Sequence, residues 1–133
     1  MYIELTKGID SKMTVDELLN KHNIKHESIL SEKGIYIFSV GSTNVLFWIN
    51  EGNSFKMKRD WFKILQENCE KYILCLYDRK NNKYYYIKFP NKSNWLSGSF
   101  NSCGKEELFL GKQVLNNQST IGNILVDLKK KSI

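Results

Sequence analysis

The sequence predicts a single α+β domain, a mostly antiparallel or mixed β-sheet of about five to six strands packed by three helices. Three observations carry that expectation. Apolar residues recur at helical spacing in three separated stretches, short runs of β-branched and aromatic residues fill the intervals, and clusters of Gly and Asn punctuate the runs. A length of 133 residues with 41% hydrophobic content suits one core, so the domain is expected to span 1–133. No repeat, linker or low-complexity segment divides it.

Taken in order, Thr14, Val15, Asp16 and Glu17 read as a capping box opening a short helix to about Lys21. Its Val15, Leu18 and Leu19 make one buried stripe. Ile29-Leu30, Ile35 to Val40 and Val45 to Ile49 then predict a meander broken at Lys33-Gly34 and Gly41-Ser42, where glycine supplies the positive φ of a tight turn. Val45 to Ile49 shows no polar alternation, which places it in a central strand covered on both faces. Asn53 or Ser54 is expected to cap a helix reaching about Cys69, with Met57, Trp61, Ile64 and Leu65 on its apolar side. Its other side carries Lys56, Arg59, Lys63 and Glu67.

Tyr72 to Tyr77, a polar turn from Asp78 to Lys83, and Tyr84 to Phe89 form the clearest hairpin. In its second strand Tyr85, Ile87 and Phe89 point one way, and Tyr84, Tyr86 and Lys88 the other. Pro90 ends that strand. Asn91 to Lys105 reads as a loop folded back through Trp95, Leu96 and Phe100, and Leu108 to Leu115 as a strand interrupted at Gly111. Ser119 or Thr120 caps a last helix that buries Ile121, Ile124, Leu125 and Leu128, with Lys129, Lys130 and Lys131 at its negative end.

Composition narrows the functional classes. Met1 to Asp10 lacks the apolar core of a signal peptide, and no stretch reaches the ~20 apolar residues that span a bilayer. The odd cysteine count, Cys69, Cys75 and Cys103, fits neither a disulfide framework nor a zinc cluster and points to a reducing compartment, so a soluble cytoplasmic protein is expected. Residues 1–55 hold five Lys against seven acids, a net −2, whereas residues 56–133 hold fifteen Lys or Arg against seven acids, a net +8. Such asymmetry is the footprint of a polyanion partner. Eighteen of the twenty cations are Lys, and Asn is abundant too. Both use A-rich codons, which points to an AT-rich genome such as that of a low-GC bacterium or its phage.

Lys56, Lys58, Arg59 and Lys63 on one helix and Arg79, Lys80 and Lys83 in one turn offer phosphate contacts, and outward Tyr84 and Tyr86 offer stacking surfaces. Trp48 and Trp61 fall within apolar patterns and belong to the core. His22 and His26 are spaced for one helical face, but no third ligand accompanies them, so they read as surface histidines without metal. Cys69 and Cys75 read as small hydrophobes. No catalytic residues and no cofactor site emerge, so a binding role is favoured over an enzymatic one, which stays open.

Two family resemblances follow from these residues. Gly34, Ile35 and Tyr36, with Phe47, Trp48 and Ile49 after ten intervening residues and Arg59 on a helix, resemble the front of a GIY-YIG nuclease domain. The order helix, three strands, helix and hairpin over about 14–89 resembles the core of the PD-(D/E)XK nucleases. That family holds its metal with an acid on the second strand and Glu-x-Lys on the third. Here the third strand, Val45 to Asn50, has neither acid nor lysine, so the resemblance implies a nuclease-like fold whose catalytic apparatus is gone. The expectation is therefore a basic nucleic-acid-associated domain. Its alternative is a small interaction protein, such as a phage inhibitor of a host defence nuclease or a toxin-neutralising protein, with aromatic anchors facing a protein partner.

Overall fold

The computed structural model describes residues 14–32, 34–50, 56–66, 71–89, 100–103, 107–110 and 116–132. Among them are three α-helices and nine strands in α+β order: α1 (Val15–Lys21), β1 (Glu27–Glu32), β2 (Ile35–Val40), β3 (Thr43–Asn50), β4 (Lys56–Lys58), α2 (Arg59–Gln66), β5 (Tyr72–Asp78), β6 (Lys83–Phe89), β7 (Phe100–Cys103), β8 (Glu107–Leu110), β9 (Gln118–Ser119) and α3 (Ile121–Lys131). Six strands form a mixed sheet in the order β1-β2-β3-β5-β6-β9, and β4-β8-β7 form a second, smaller one.

The meander folds as its turns dictate. Gly34 and Gly41 both take positive φ, at +81° and +60°, and β1, β2 and β3 pair antiparallel. β3 is buried at every position and lies between β2 and a parallel neighbour, β5. A parallel pair needs a crossover, and α2 supplies it. The Asn44 side-chain amide donates to the Leu65 carbonyl at 2.9 Å, which holds the last turn of α2 at the start of β3. The first turn of α2 thus lies toward the Asn50 end of the sheet.

Alternation divides the core between the two faces. Phe38, Val45, Phe47, Ile73, Cys75, Tyr77 and Tyr84 meet α1 and α3 on one side. On the other, Ile37, Leu46, Trp48, Leu74, Leu76 and Tyr85 meet Leu65, Trp61 and Ile64 of α2. Thr14 caps α1, accepting from the Glu17 amide, and Thr120 caps α3, accepting from that of Asn123. No helix among the described residues is long and apolar enough to cross a membrane.

Four expectations are corrected. Lys56 and Lys58 do not lie on a helix: Lys56–Lys58 is a strand paired with Phe109, Leu108 and Glu107, and α2 begins at Arg59. Pairing with a distant strand outweighs the helical spacing of Met57, a signal that window-based periodicity cannot contain. Phe100–Cys103 is strand where a loop was expected, because it too pairs with β8. Tyr84 is 5% exposed and Tyr86 half-buried against the same core, so neither points outward. His26 is no surface residue, with its side chain 8% exposed. The expected caps Asn53 and Ser54, the segment Cys69, the loop residues Trp95 and Leu96, and the run from Gly111 to Leu115 lie outside the described residues.

Candidate nucleic-acid interface

Three of the predicted cations, Arg79, Lys80 and Lys83, sit in or beside the β5–β6 turn, and local chemistry fixes that turn. The hairpin ladder closes at the pair Asp78 and Lys83. Asn82 takes φ +51°, a left-handed conformation that Asn tolerates, and its amide donates to the Arg79 carbonyl at 3.4 Å. Two side chains brace the bend: Asn81 donates to Asp78 at 2.8 Å, and the Tyr77 hydroxyl donates to the Asn82 side-chain oxygen at 3.0 Å. The Arg79 amide donates to the Asn50 carbonyl at 3.0 Å, tying the turn to the end of β3.

The tyrosines serve this scaffold from inside. Tyr77 and Tyr84 are cross-strand partners whose rings stack at 4.4 Å and 14°, and the Arg79 guanidinium lies 5.9 Å from the Tyr77 centroid. Tyr86 instead donates its hydroxyl to Asp127 of α3, which Lys88 also reaches at 3.2 Å. Burial chiefly, with the neighbouring Cys75 and Asp127, pushes the Tyr86 phenol far up, so it remains a donor. Neither Tyr84 nor Tyr86 presents a face for base stacking.

The second cationic segment approaches the same end of the sheet. β3 leaves at Asn50, beside Asp78 in the parallel register, and the chain re-enters at Lys56 before α2 runs back toward Asn44. The backbone therefore brings Arg59 toward the end at which Arg79 to Asn82 turns, while the side chains of Lys56, Lys58 and Arg59 lie outside the described residues. Lys63 is one turn further along α2, exposed and 3.7 Å from Asp60. Lys129, Lys130 and Lys131 are elsewhere: the Lys131 carbonyl lies against Gly41, at the opposite end of the sheet. The turn cations and Lys129 to Lys131 thus stand at opposite ends of the sheet.

Asn50 and Asp78, 7% and 2% exposed, are the buried polar pair beneath the turn. Burial first and the Asp78 charge second raise the Tyr85 phenol. These residues were read only as strand end and polar turn, yet Asp78 and Asn81, three apart, carry a turn-bracing signal legible in sequence. At the far end, His26 stands between the Ile24 carbonyl and the Asp16 carboxylate, both at 2.9 Å, and joins α1 to β1. Among the described residues no three His, Cys, Asp or Glu are placed to hold a metal. No protein-family model matches the chain, and no curated protein is significantly similar to it.

Proposed function

We propose that this chain is a nucleic-acid-associated domain that grips phosphates through the β5–β6 turn, with a nuclease-like architecture and no catalytic residues of its own. The observation that carries the reading is a turn braced by Tyr77, Asp78, Asn81 and Asn82 that presents Arg79, Lys80 and Lys83 within five residues. Bracing lowers the entropy lost when those cations meet a polyanion. The turn also lies at the carboxyl ends of the parallel strands β3 and β5, where ligands of open α/β sheets gather.

Within the six-stranded sheet, the strand order supports the PD-(D/E)XK resemblance as far as architecture goes: one helix, three antiparallel strands, a crossover that holds β4 of the smaller sheet and then a helix, a strand parallel to the third, and an antiparallel one after it. The chemistry does not follow it. Neither β2 nor β3 contains a carboxylate, so that family's metal ligands have no counterparts on these strands. The GIY-YIG-like residues Ile35 and Trp48 pair across β2 and β3 inside the core.

With Tyr84 and Tyr86 turned inward, recognition at this turn is of phosphate and not of base. Fluorescence anisotropy at 50 mM salt with a labelled duplex and its isolated strand tests the proposal. The duplex is expected to bind at least as tightly as the strand, and the Arg79→Ala, Lys80→Ala, Lys83→Ala variant to lose on the order of tenfold or more. Absence of binding by the native protein, or an unchanged affinity in the variant, contradicts it.

A further inference from the structure

The edge strand β1 differs from the rest of the sheet in exposure and in charge. Five of its six residues are exposed and only Leu30 is half-buried, with β2 its one partner among the described strands. A bulge shifts the register between Ser28 and Leu30. Its effect is to set Ile29 and Leu30, consecutive in sequence, on the α2 side of the sheet. There Ile29, 47% exposed, lines a cleft with Glu27, Ser39, Asn44 and Ile64 of α2, while Leu30 joins the core cluster.

Glu27 and Glu32 bracket this apolar step on the same face. Because the bulge adds a residue to β1, they stand opposite Ser39 and Ile35, only four residues apart on β2. A chain laid along the open side of β1 would meet them at the same spacing, about 13 Å at strand rise. In a protein of net charge +6, strand β1 itself carries two acids and no Lys or Arg, with Lys25 and Lys33 flanking it in sequence.

We infer that the β1 edge and its cleft are a docking site for an extended basic segment of another protein, patterned cation, spacer, apolar residue, spacer, cation. The apolar residue seats on Ile29 and Leu30, and the cations pair with Glu27 and Glu32. Charge selects this occupant. Two copies of the present chain paired antiparallel through β1 would bring Glu27 of one toward Glu32 of the other, and like charges opposed across strands repel. Nucleic acid is repelled by the same acids. The bulge interrupts the edge ladder, so recognition depends more on the side chains than on main-chain bonds. The site is independent of the cationic turn at the far side of the sheet.

The test is an amide chemical-shift titration of the whole protein with a capped Lys-Thr-Ile-Thr-Lys peptide, beside Glu-Thr-Ile-Thr-Glu as the charge-reversed control. The basic peptide is expected to shift Ser28 to Glu32 with an affinity on the order of 1 mM, the range of so short a ligand. The acidic peptide should leave them unmoved. Glu27→Lys with Glu32→Lys, or Ile29→Ser alone, should weaken the interaction tenfold or more while the remaining spectrum keeps the native pattern. Shifts confined to other strands, equal response to both peptides, movement of these amides by a duplex oligonucleotide, or a dimer that Ile29→Lys dissolves would each overturn the inference. If the double variant misfolds, the peptide charge swap on the native protein still decides.

Discussion

Asp127 joins α3 to the sheet by accepting hydrogen bonds from Tyr86 and Lys88 of β6. Burial works to raise its carboxyl, but those two bonds and the charges of Lys88 and Lys131 outweigh it and hold the group below its ordinary value. Native Asp127 therefore resists a proton that the unfolded chain takes up near pH 4, so its contribution is present above that pH and is lost as pH falls through the lower folded value. Urea melts at a series of pH values should show stability falling below about pH 4, with a shallower fall in Asp127→Asn. Tyr86→Phe removes one charge-assisted bond and should cost about 1.5–3 kcal/mol at neutral pH. Cys75, wholly buried beside this group, has its thiol pushed well up by burial first and Asp127 second. In the native protein it should resist alkylation at pH 8, and residue-resolved mass spectrometry would reveal modification only after unfolding.

At the scale of elements, the β2–β3 turn concentrates the constraint. Gly41 has positive φ, and a Cβ there would stand 2.6 Å from the Lys131 carbonyl, a backbone atom that cannot swing aside. Gly41→Ala should cost roughly 2 kcal/mol or more in denaturant melts, while Gly34→Ala, with 3.1 Å to the Ile49 carbonyl, should cost less. Elements whose signal is local were legible: the Thr14 and Thr120 caps, both glycine turns, the apolar run of β3, and the two-sided alternation of β6. What was not legible depends on distant partners. Lys56–Lys58 is strand because Glu107 to Phe109 lies beside it, and β9 exists because Gln118 and Ser119 find Tyr85 and Tyr84. Likewise, the orientation of Tyr84 and Tyr86 was right as alternation and wrong as exposure. The face they share looked outward until α3 was laid over it.

Over the whole molecule, charge is arranged by position in the fold. Arg79, Lys80 and Lys83 stand at the carboxyl ends of β3 and β5 with the start of α2 nearby, the Lys129 to Lys131 group lies by Gly41, and acids mark the β1 edge. The half-chain charge imbalance did not reveal that Arg79, Lys80 and Lys83 stand at one end of the sheet and Lys129 to Lys131 at the other. The turn is the end whose geometry is braced. Its contribution is read most directly from the slope of log affinity against log salt for duplex binding, compared between the native protein and the Arg79→Ala, Lys80→Ala, Lys83→Ala variant. If three cations contact three phosphates, the native slope should be steeper (more negative) than the variant's by about 2.7, a difference of roughly fortyfold between 50 and 200 mM salt. Equal slopes, or a native affinity that does not change with salt, would contradict the account.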